Sequence, residues 1–346
     1  MNQKTKAPRT ARSGLRKVLL GLSGVFAAGL IYCYQAQPDR LAGLTIVPAC
    51  AWPVAGLLSA LLFGGRSHKA FTLTVLALWA MFTYTSVEET RSLLRRDELP
   101  TPSWRSARDE DRLLKIVSLN CNAHEDAAAE VGEYKPDVVF IQESPSREQL
   151  QKLTTDLFGS EGGFVWTAGA SIAARGKVES KSADESSFFV HASIQLSNGR
   201  QFEAVCLRLK PPLIRYDLWK GEYWRAHQAA RAERRADVKT LMQYVASLPS
   251  TTPIVVGGDL GAAPEDAALS RLRGNLSDTF AAAGHGWGNT VTNGYPVERF
   301  DQVWVNEQLQ PEWVEAHKSG HSDHRLVVCD ISLHPIVQPD AEQIAQ

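Results

Sequence analysis

"PIVVGGDLGAAP", residues 253–264, decides how the chain is read. Ile254, Val255 and Val256 form an apolar run, Gly257 and Gly258 end it, and Asp259 stands at its tip. A short apolar run bounded by turn residues reads as a strand buried on both faces. A carboxylate at the end of such a strand either does chemistry or caps the turn after it. Two positions further on stands Gly261, which has no side chain.

The pattern repeats on either side of this stretch. "LLKIVSL" (113–119), "DVVFIQE" (137–143), "FVWTAG", "SSFFVHASIQL", "QFEAVCLRL", "FDQVWVN" and "LVVCDIS" read as strands. Ser197-Asn198-Gly199 is a hairpin-like turn between two of them. Helical segments lie between: 125–134, 146–157, a long one within 219–248, and "EDAALSRL". Ser146 and Gln149 have the spacing of a capping box. Strands interspersed with helices and hairpins predict an α/β sandwich, with packed sheets at the centre and helices outside.

The 346 residues suffice for one large domain and an appendage. The net charge of -1 hides an asymmetry. Residues 1–99 hold 12 Lys/Arg against 5 Asp/Glu, and residues 100–346 hold 25 against 33. The acidic remainder argues against non-specific grip on duplex nucleic acid, which needs many cations on the phosphates. Five cysteines in no metal spacing and no disulfide framework read as buried thiols.

Three apolar stretches, 18–34, 41–64 and 70–87, predict a membrane anchor of three transmembrane helices. The alternative for the first is a cleaved signal peptide. Lys4, Lys6, Arg9, Arg12, Arg16 and Lys17 precede the first stretch and place the N-terminus in the cytoplasm. The third span then leaves the chain beyond about residue 88 outside the cytoplasm, with Arg91, Arg95 and Arg96 arguing mildly the other way. The expected organisation is an anchor at 1–87, a linker at 88–112, a folded domain at 113–336 and a disordered tail at 337–346.

Polar residues gather where the strands end: Asn120 and Asn122, Gln142 and Glu143, Asp259, Arg299 and Asp301, and Ser322, Asp323 and His324. Strand ends of a sandwich converge on one rim, where sites are built. Hard oxygen donors such as Glu143, Asp323 and Asn120 suit Mg²⁺. A His–Asp pair suits proton transfer or stabilisation of a phosphate oxyanion. Together they suggest metal-assisted phosphoester hydrolysis. Taken singly, each has a bland alternative: turn asparagines, a capping aspartate, a structural histidine. His191, His227, His285 and His321 read as structural or solvated, and the charged helix 222–239 reads as a solvated face.

The ordered set "KIVSLNCN", "PDVVFIQES", "PIVVGGDL", "ERFDQVWV" and "SDHRLVV" resembles the endonuclease/exonuclease/phosphatase superfamily, the DNase-I-like fold, over residues 113–334. The resemblance implies a four-layer α/β sandwich of two mixed sheets with outer helices, here preceded by three transmembrane helices. The anchor resembles that of membrane-tethered bacterial members, which implies an inner-membrane protein with its domain outside the cytoplasm. By the same resemblance Glu143 binds metal, Asp323 lies near it, and Asn122 assists. Asn120 supports the metal and phosphate site, Asp259 activates water, and His324 is the catalytic histidine oriented by Asp301. Mg²⁺ is the implied cofactor, with Mn²⁺ the other candidate. The implied reaction is attack of water on a phosphodiester or phosphomonoester.

Two departures stand out. Where the family usually reads Gly-Asp-x-Asn, this chain has Gly261, and losing one preorganised donor costs on the order of 10²–10³ in rate in comparable sites. Where the family often has a histidine, this chain has Arg208, which can still hold a phosphate. Asn289 and Asn293, ahead of Asp301, are candidates to supply the missing amide. The alternative function is a catalytically impaired domain that binds a phosphorylated ligand or partner. Substrate candidates are a lipid head group, a small phosphoester or nucleic acid; Arg225, Arg231, Arg234, Arg235 and Lys239 on the basic helix keep the last of these open. No protein partner is legible.

Overall fold

A computed structural model describes residues 9–65, 68–184, 187–212 and 220–334. Two compact units are distinguished. One comprises residues up to 94 with 213–232 and 265–267; the other comprises 95–212, 233–264 and 268 onward. The tail at 337–346, Lys4 and Lys6 lie outside the described residues.

The first unit contains α1 (Arg9–Ala36), α2 (Trp52–Phe63), α3 (Lys69–Ser86) and α4 (Glu88–Ser92). Leu20, Ala27 and Leu30 of α1 pack with Val75, Trp79 and Phe82 of α3 in one cluster. Polar glue crosses the helices: Trp79 donates to Ser23 Oγ at 3.0 Å, and the Ser23 and Ser59 hydroxyls lie 2.6 Å apart. The expectation of three transmembrane helices is corrected to one candidate. Among the described residues only the α1 segment Gly14–Ala36 is long and apolar enough to cross a membrane. The stretch 41–64 fails because Pro48, at the non-helical ψ of 131°, keeps its first half in short 3₁₀ turns. The 12 residues left in α2 reach about 18 Å of a hydrocarbon core of about 30 Å. α3 begins at Lys69 and is diluted by Thr72, Thr74, Thr83, Thr85 and Ser86.

The second unit is the expected sandwich. In chain order it has α5 (Pro102–Asp109), β1 (Leu113–Asn120), α6 (Glu125–Ala129), β2 (Val138–Gln142), α7 (Arg147–Phe158), β3 (Gly162–Trp166), β4 (Ala170–Arg175), β5 (Lys177–Ser182), β6 (Phe189–Gln195) and β7 (Gln201–Arg208). Then come α8 (Gly221–Val245), within which the unit boundary falls, β8 (Ile254–Asp259), α9 (Ser270–Arg273), β9 (Ser277–Asp278), α10 (Thr279–Ala283), β10 (Asp301–Val305), β11 (Leu309–His317) and β12 (Leu326–Leu333). One sheet runs β11-β12-β1-β2-β4-β3 and the other β5-β6-β7-β8-β10-β9. Each has one parallel pair, β1 with β2 and β7 with β8.

The inner faces of both sheets share one core, including Ile116, Phe140, Ile172, Ala204, Val255 and Val303. Outside the first sheet, α6 and α7 bury Ala127, Ala128 and Leu150. Outside the second, the end of α8 buries Val238, Leu241 and Val245. The capping box of α7 forms as read: Gln149 N–H donates to Ser146 Oγ, and Ser146 N–H donates to Gln149 Oε1. Residues 95–112 cluster with the second unit. Trp104 on α5 donates to Asp330 Oδ2 at 2.7 Å, and Arg95 donates to the carbonyls of Phe280 and Gly284.

Reading 222–239 as a solvated face needs correction. Arg231 and Arg234 are buried. Within the first unit Arg231 pairs with Asp266 at 3.2 Å and donates to Thr45 Oγ1 and Gln37 Oε1. A guanidinium enclosed in this way serves packing, and phosphate contact by Arg231 is set aside.

Candidate active site

The second sheet supplies three polar residues abreast. Arg208 ends β7, Asp259 ends β8 and Asp301 begins β10, with Arg208 opposite Asp259 and Asp259 opposite Asp301. The glycines before Asp259 are steric requirements. Gly258 has φ +137°, and a Cβ there would lie 2.0 Å from the Leu207 carbonyl oxygen. Asp259 is buried; its Oδ1 accepts from Gly261 N–H at 2.9 Å and its Oδ2 from Asn120 Nδ2 at 3.1 Å. Burial, then repulsion from Asp301, push the Asp259 carboxyl up to about 6, against the pull of His324 and these two donors.

The first sheet brings Asn120 and Glu143 to the same rim. Asn120, the last residue of β1, pairs with Gln142 of β2, and Glu143 comes directly after it. The Asn120 amide also donates to Glu143 Oε1 at 3.0 Å, so one side chain links carboxylates from both sheets. Glu143 has φ +47° and Asn122 φ +48°. Such backbone in a non-glycine residue costs energy and concentrates at functional sites. Arg208 Nη2 reaches the same Glu143 oxygen at 2.8 Å.

His324 stands two residues before β12. Its Nδ1 lies 2.8 Å from Asp301 Oδ2, and Nε2 has no partner among the described residues. Burial alone would push the imidazole down. The charge and hydrogen bond of Asp301, with the charges of Asp259 and Asp323, outweigh burial and hold it at about 10. The turn carrying it is pinned by Ser322, whose Oγ donates to the Asn120 carbonyl at 2.6 Å and accepts from His324 N–H.

Other expected residues have different surroundings. Asn293 is committed to the turn: its amide donates to the carbonyls of Ser319 and Ser322 and its Oδ1 accepts from Ser319 N–H. Its amide is therefore occupied within the turn. Asn289 is buried in the segment leading to Asp301. Asn122 and Asp323 are exposed beside the rim residues. Sequence reading misses Thr290, whose Oγ1 accepts from the backbone N–H of Phe300 and Asp301. Nothing in the sequence marks a lone threonine for that task. It also misses Ser319, although its setting in "KSGHSDH" is turn-like.

At Gly261 the backbone explains the missing side chain. The residue has φ +56°, and a Cβ would lie 2.8 Å from the Lys210 carbonyl oxygen. Its own N–H is spent on Asp259.

Among the described residues no group of three or more His, Cys, Asp or Glu side chains could hold an ion on its own. Mg²⁺ needs no such group, because it takes one or two carboxylates and keeps several waters. Glu143 Oε2 and the Asp323 carboxylate make no hydrogen bond among the described residues, and both are hard oxygen donors. This set fits a hard divalent cation and would not suit a thiolate-bound one.

The sequence pattern of the endonuclease/exonuclease/phosphatase family matches residues 117–324. No curated protein matches the chain. Among solved structures, the endonuclease/exonuclease/phosphatase from Bacteroides vulgatus is 16% identical with a TM-score of 0.50, over 64% of this chain and 99% of that one. A family protein from Bacteroides thetaiotaomicron is 14% identical with a TM-score of 0.49, over 64% and 98%. The human nocturnin catalytic domain with bound sulfate is 17% identical with a TM-score of 0.48, over 64% and 94%. At 16% identity the likeness to the Bacteroides vulgatus protein is one of fold.

Proposed function

The chain belongs to the endonuclease/exonuclease/phosphatase family, and from that membership we propose that it hydrolyses a phosphoester by water attack, assisted by a divalent metal ion. The observation that carries the reading is the rim itself. Asn120 ties Glu143 to Asp259, and Asp259 lies in register beside Asp301, which holds His324. A domain that only bound a ligand would have no use for a buried carboxylate next to an oriented His–Asp pair.

Each residue's role comes from its surroundings. Asp259, raised to about 6, is ionised at neutral pH yet basic enough to take a proton from water. His324, held as an imidazolium by Asp301, presents Nε2–H to a phosphoryl oxygen as charge develops there. Asn120 fixes both carboxylates at their separation, and Arg208 offers a planar fork to the phosphate. Glu143 and Asp323, with Asn122 beside them, would hold Mg²⁺ or Mn²⁺. That ion, when bound, stabilises negative charge on the phosphoryl oxygens.

Membrane association is part of the proposal. Leu22 and Val25 of α1, and Leu58 and Leu61 of α2, expose their apolar side chains. Arg12, Arg16 and Lys17 lie at the start of α1, on the side that stays cytoplasmic. A single span, like three, then puts the sandwich outside the cytoplasm. That site favours a lipid head group or small phosphoester over duplex DNA.

The test is hydrolysis of bis(p-nitrophenyl) phosphate by the full chain in detergent, with Mg²⁺ and after EDTA, beside His324→Ala. Activity lost in both EDTA and the variant is the expected result. Activity retained by His324→Ala would overturn the assignment.

A further inference from the structure

Arg208 and Asn120 donate to the same Glu143 oxygen, at 2.8 and 3.0 Å. The carboxylate assigned to the metal thus already carries a cation. The contact is half-open to water, with the Arg208 and Glu143 side chains 32% and 31% exposed. It is also incomplete. Arg208 Nε is buried with no hydrogen-bond partner among the described residues, so the guanidinium holds Glu143 through Nη2 and leaves the adjacent donor unsatisfied. An arginine fork is best satisfied by two oxygens of one anion, and a phosphate offers them where Glu143 presents one.

We propose that Arg208 is a resident counter-cation of Glu143 that weakens its hold on a divalent ion, and that a phosphate draws it away, so that metal and phosphoester bind as a coupled pair. This rests on Glu143 being a metal ligand and goes beyond it. Bare metal meets a carboxylate whose charge is partly neutralised and binds weakly. With phosphate present, the guanidinium moves to the anion and Glu143 regains its full charge. By linkage the metal then strengthens phosphate binding by the same factor. The site is thereby loaded chiefly when substrate is at hand.

The experiment is Mn²⁺ titration of the full chain in detergent, read from the free-Mn²⁺ EPR signal, with and without sulfate as a tetrahedral dianion. Glu143→Gln identifies binding at this site. Arg208→Gln is expected to bind Mn²⁺ alone about twofold to fivefold more tightly than wild type, the scale of a partly screened charge pair. Sulfate is expected to tighten Mn²⁺ binding in wild type and to do so far less in Arg208→Gln. Arg208→Lys, which keeps the charge and loses the fork, is expected to match wild type for Mn²⁺ alone while losing most of the sulfate effect. This second variant decides the matter if Arg208→Gln lowers the melting temperature. Equal or weaker Mn²⁺ binding in Arg208→Gln would overturn the proposal and leave Glu143 as a ligand. No binding that depends on Glu143 in wild type would overturn the metal assignment, and the coupling with it.

Discussion

His324 and Asp301 meet across the sandwich, Nδ1 to Oδ2 at 2.8 Å, although the histidine leads into β12 of one sheet and the aspartate begins β10 of the other. The pair therefore exists only if both sheets are packed in register. Asp301 is fully buried, and its second oxygen, Oδ1, is enclosed without a partner among the described residues, so the His324 bond is its main compensation for lost water. Asp301→Asn keeps the shape and removes the charge that holds His324 cationic. The expected loss in kcat is about 10²–10³, the range for losing one preorganised donor to developing charge. His324→Ala should lose a similar factor, and the double variant little more, because residues acting as a unit are not additive. Additive losses in the three variants would separate the two roles.

Thr290 gives a second prediction, since it acts on the site without touching it. Its hydroxyl accepts the backbone N–H groups of Phe300 and Asp301, both at 3.2 Å, in a fully buried setting. Thr290→Val preserves volume and leaves those donors unpaired, at a cost of about 1–3 kcal/mol. Lower thermal stability is expected, together with a fall in kcat larger than the change in KM. Asp301 would be displaced, whereas residues that bind substrate would remain. An unchanged kcat would confine Thr290 to folding.

The legible parts of the chain are those where local chemistry and fold agree. The apolar runs of β1, β2 and β8 and the capping box at Ser146 are readable because burial and backbone satisfaction are local demands. β5 escapes sequence reading because Lys177–Ser182 is a polar edge strand with almost no apolar pattern. β11 escapes it because it contains Pro311, a residue that argues against a strand. The proline is tolerated because β11 is an edge and the register shifts between Pro311 and Trp313. Arg231 reads as solvated because a helix's charged face shows nothing of Asp266 or Thr45, which are distant in sequence. The candidate site residues emerge through their order along the chain. The links among them, Asn120 to Asp259 above all, belong to the packing of two sheets and leave no local trace.

Stability should depend on pH through His191. It is buried, with Nδ1 2.7 Å from the Tyr244 hydroxyl and Nε2 2.6 Å from Glu203. Burial pushes its imidazole below the ordinary range, and the opposing pull of Glu203 is the smaller effect. With the folded value below the unfolded one, about 6.5, the unfolded chain binds more protons between them. Stability is then present above about pH 6.5 and is lost as pH falls toward the folded value. Melting temperatures at pH 7.5 and 5.5 should drop more for wild type than for His191→Gln, whose other titrating groups are the same. An equal drop in both proteins would assign the acid sensitivity elsewhere.

The last prediction concerns Gly261. If that position merely lacked an amide, Gly261→Asn would repair the site. The geometry argues otherwise. Asparagine tolerates φ +56° better than most residues, so the backbone conformation is not the obstacle. The obstacle is the Lys210 carbonyl oxygen 2.8 Å from the new Cβ. That segment is tied down, because Leu209 N–H next to it donates to the Asp259 carbonyl at 2.8 Å. Relieving the overlap moves either Lys210 or the Gly261 N–H that holds Asp259, so repair disturbs what it is meant to serve. Gly261→Asn should destabilise by about 1–3 kcal/mol and leave kcat at or below wild type. Gly261→Ala, with the same Cβ and no amide, should be destabilised to a similar degree. A tenfold rise in kcat for Gly261→Asn, absent in Gly261→Ala, would show that the overlap relaxes and that the amide was the missing part.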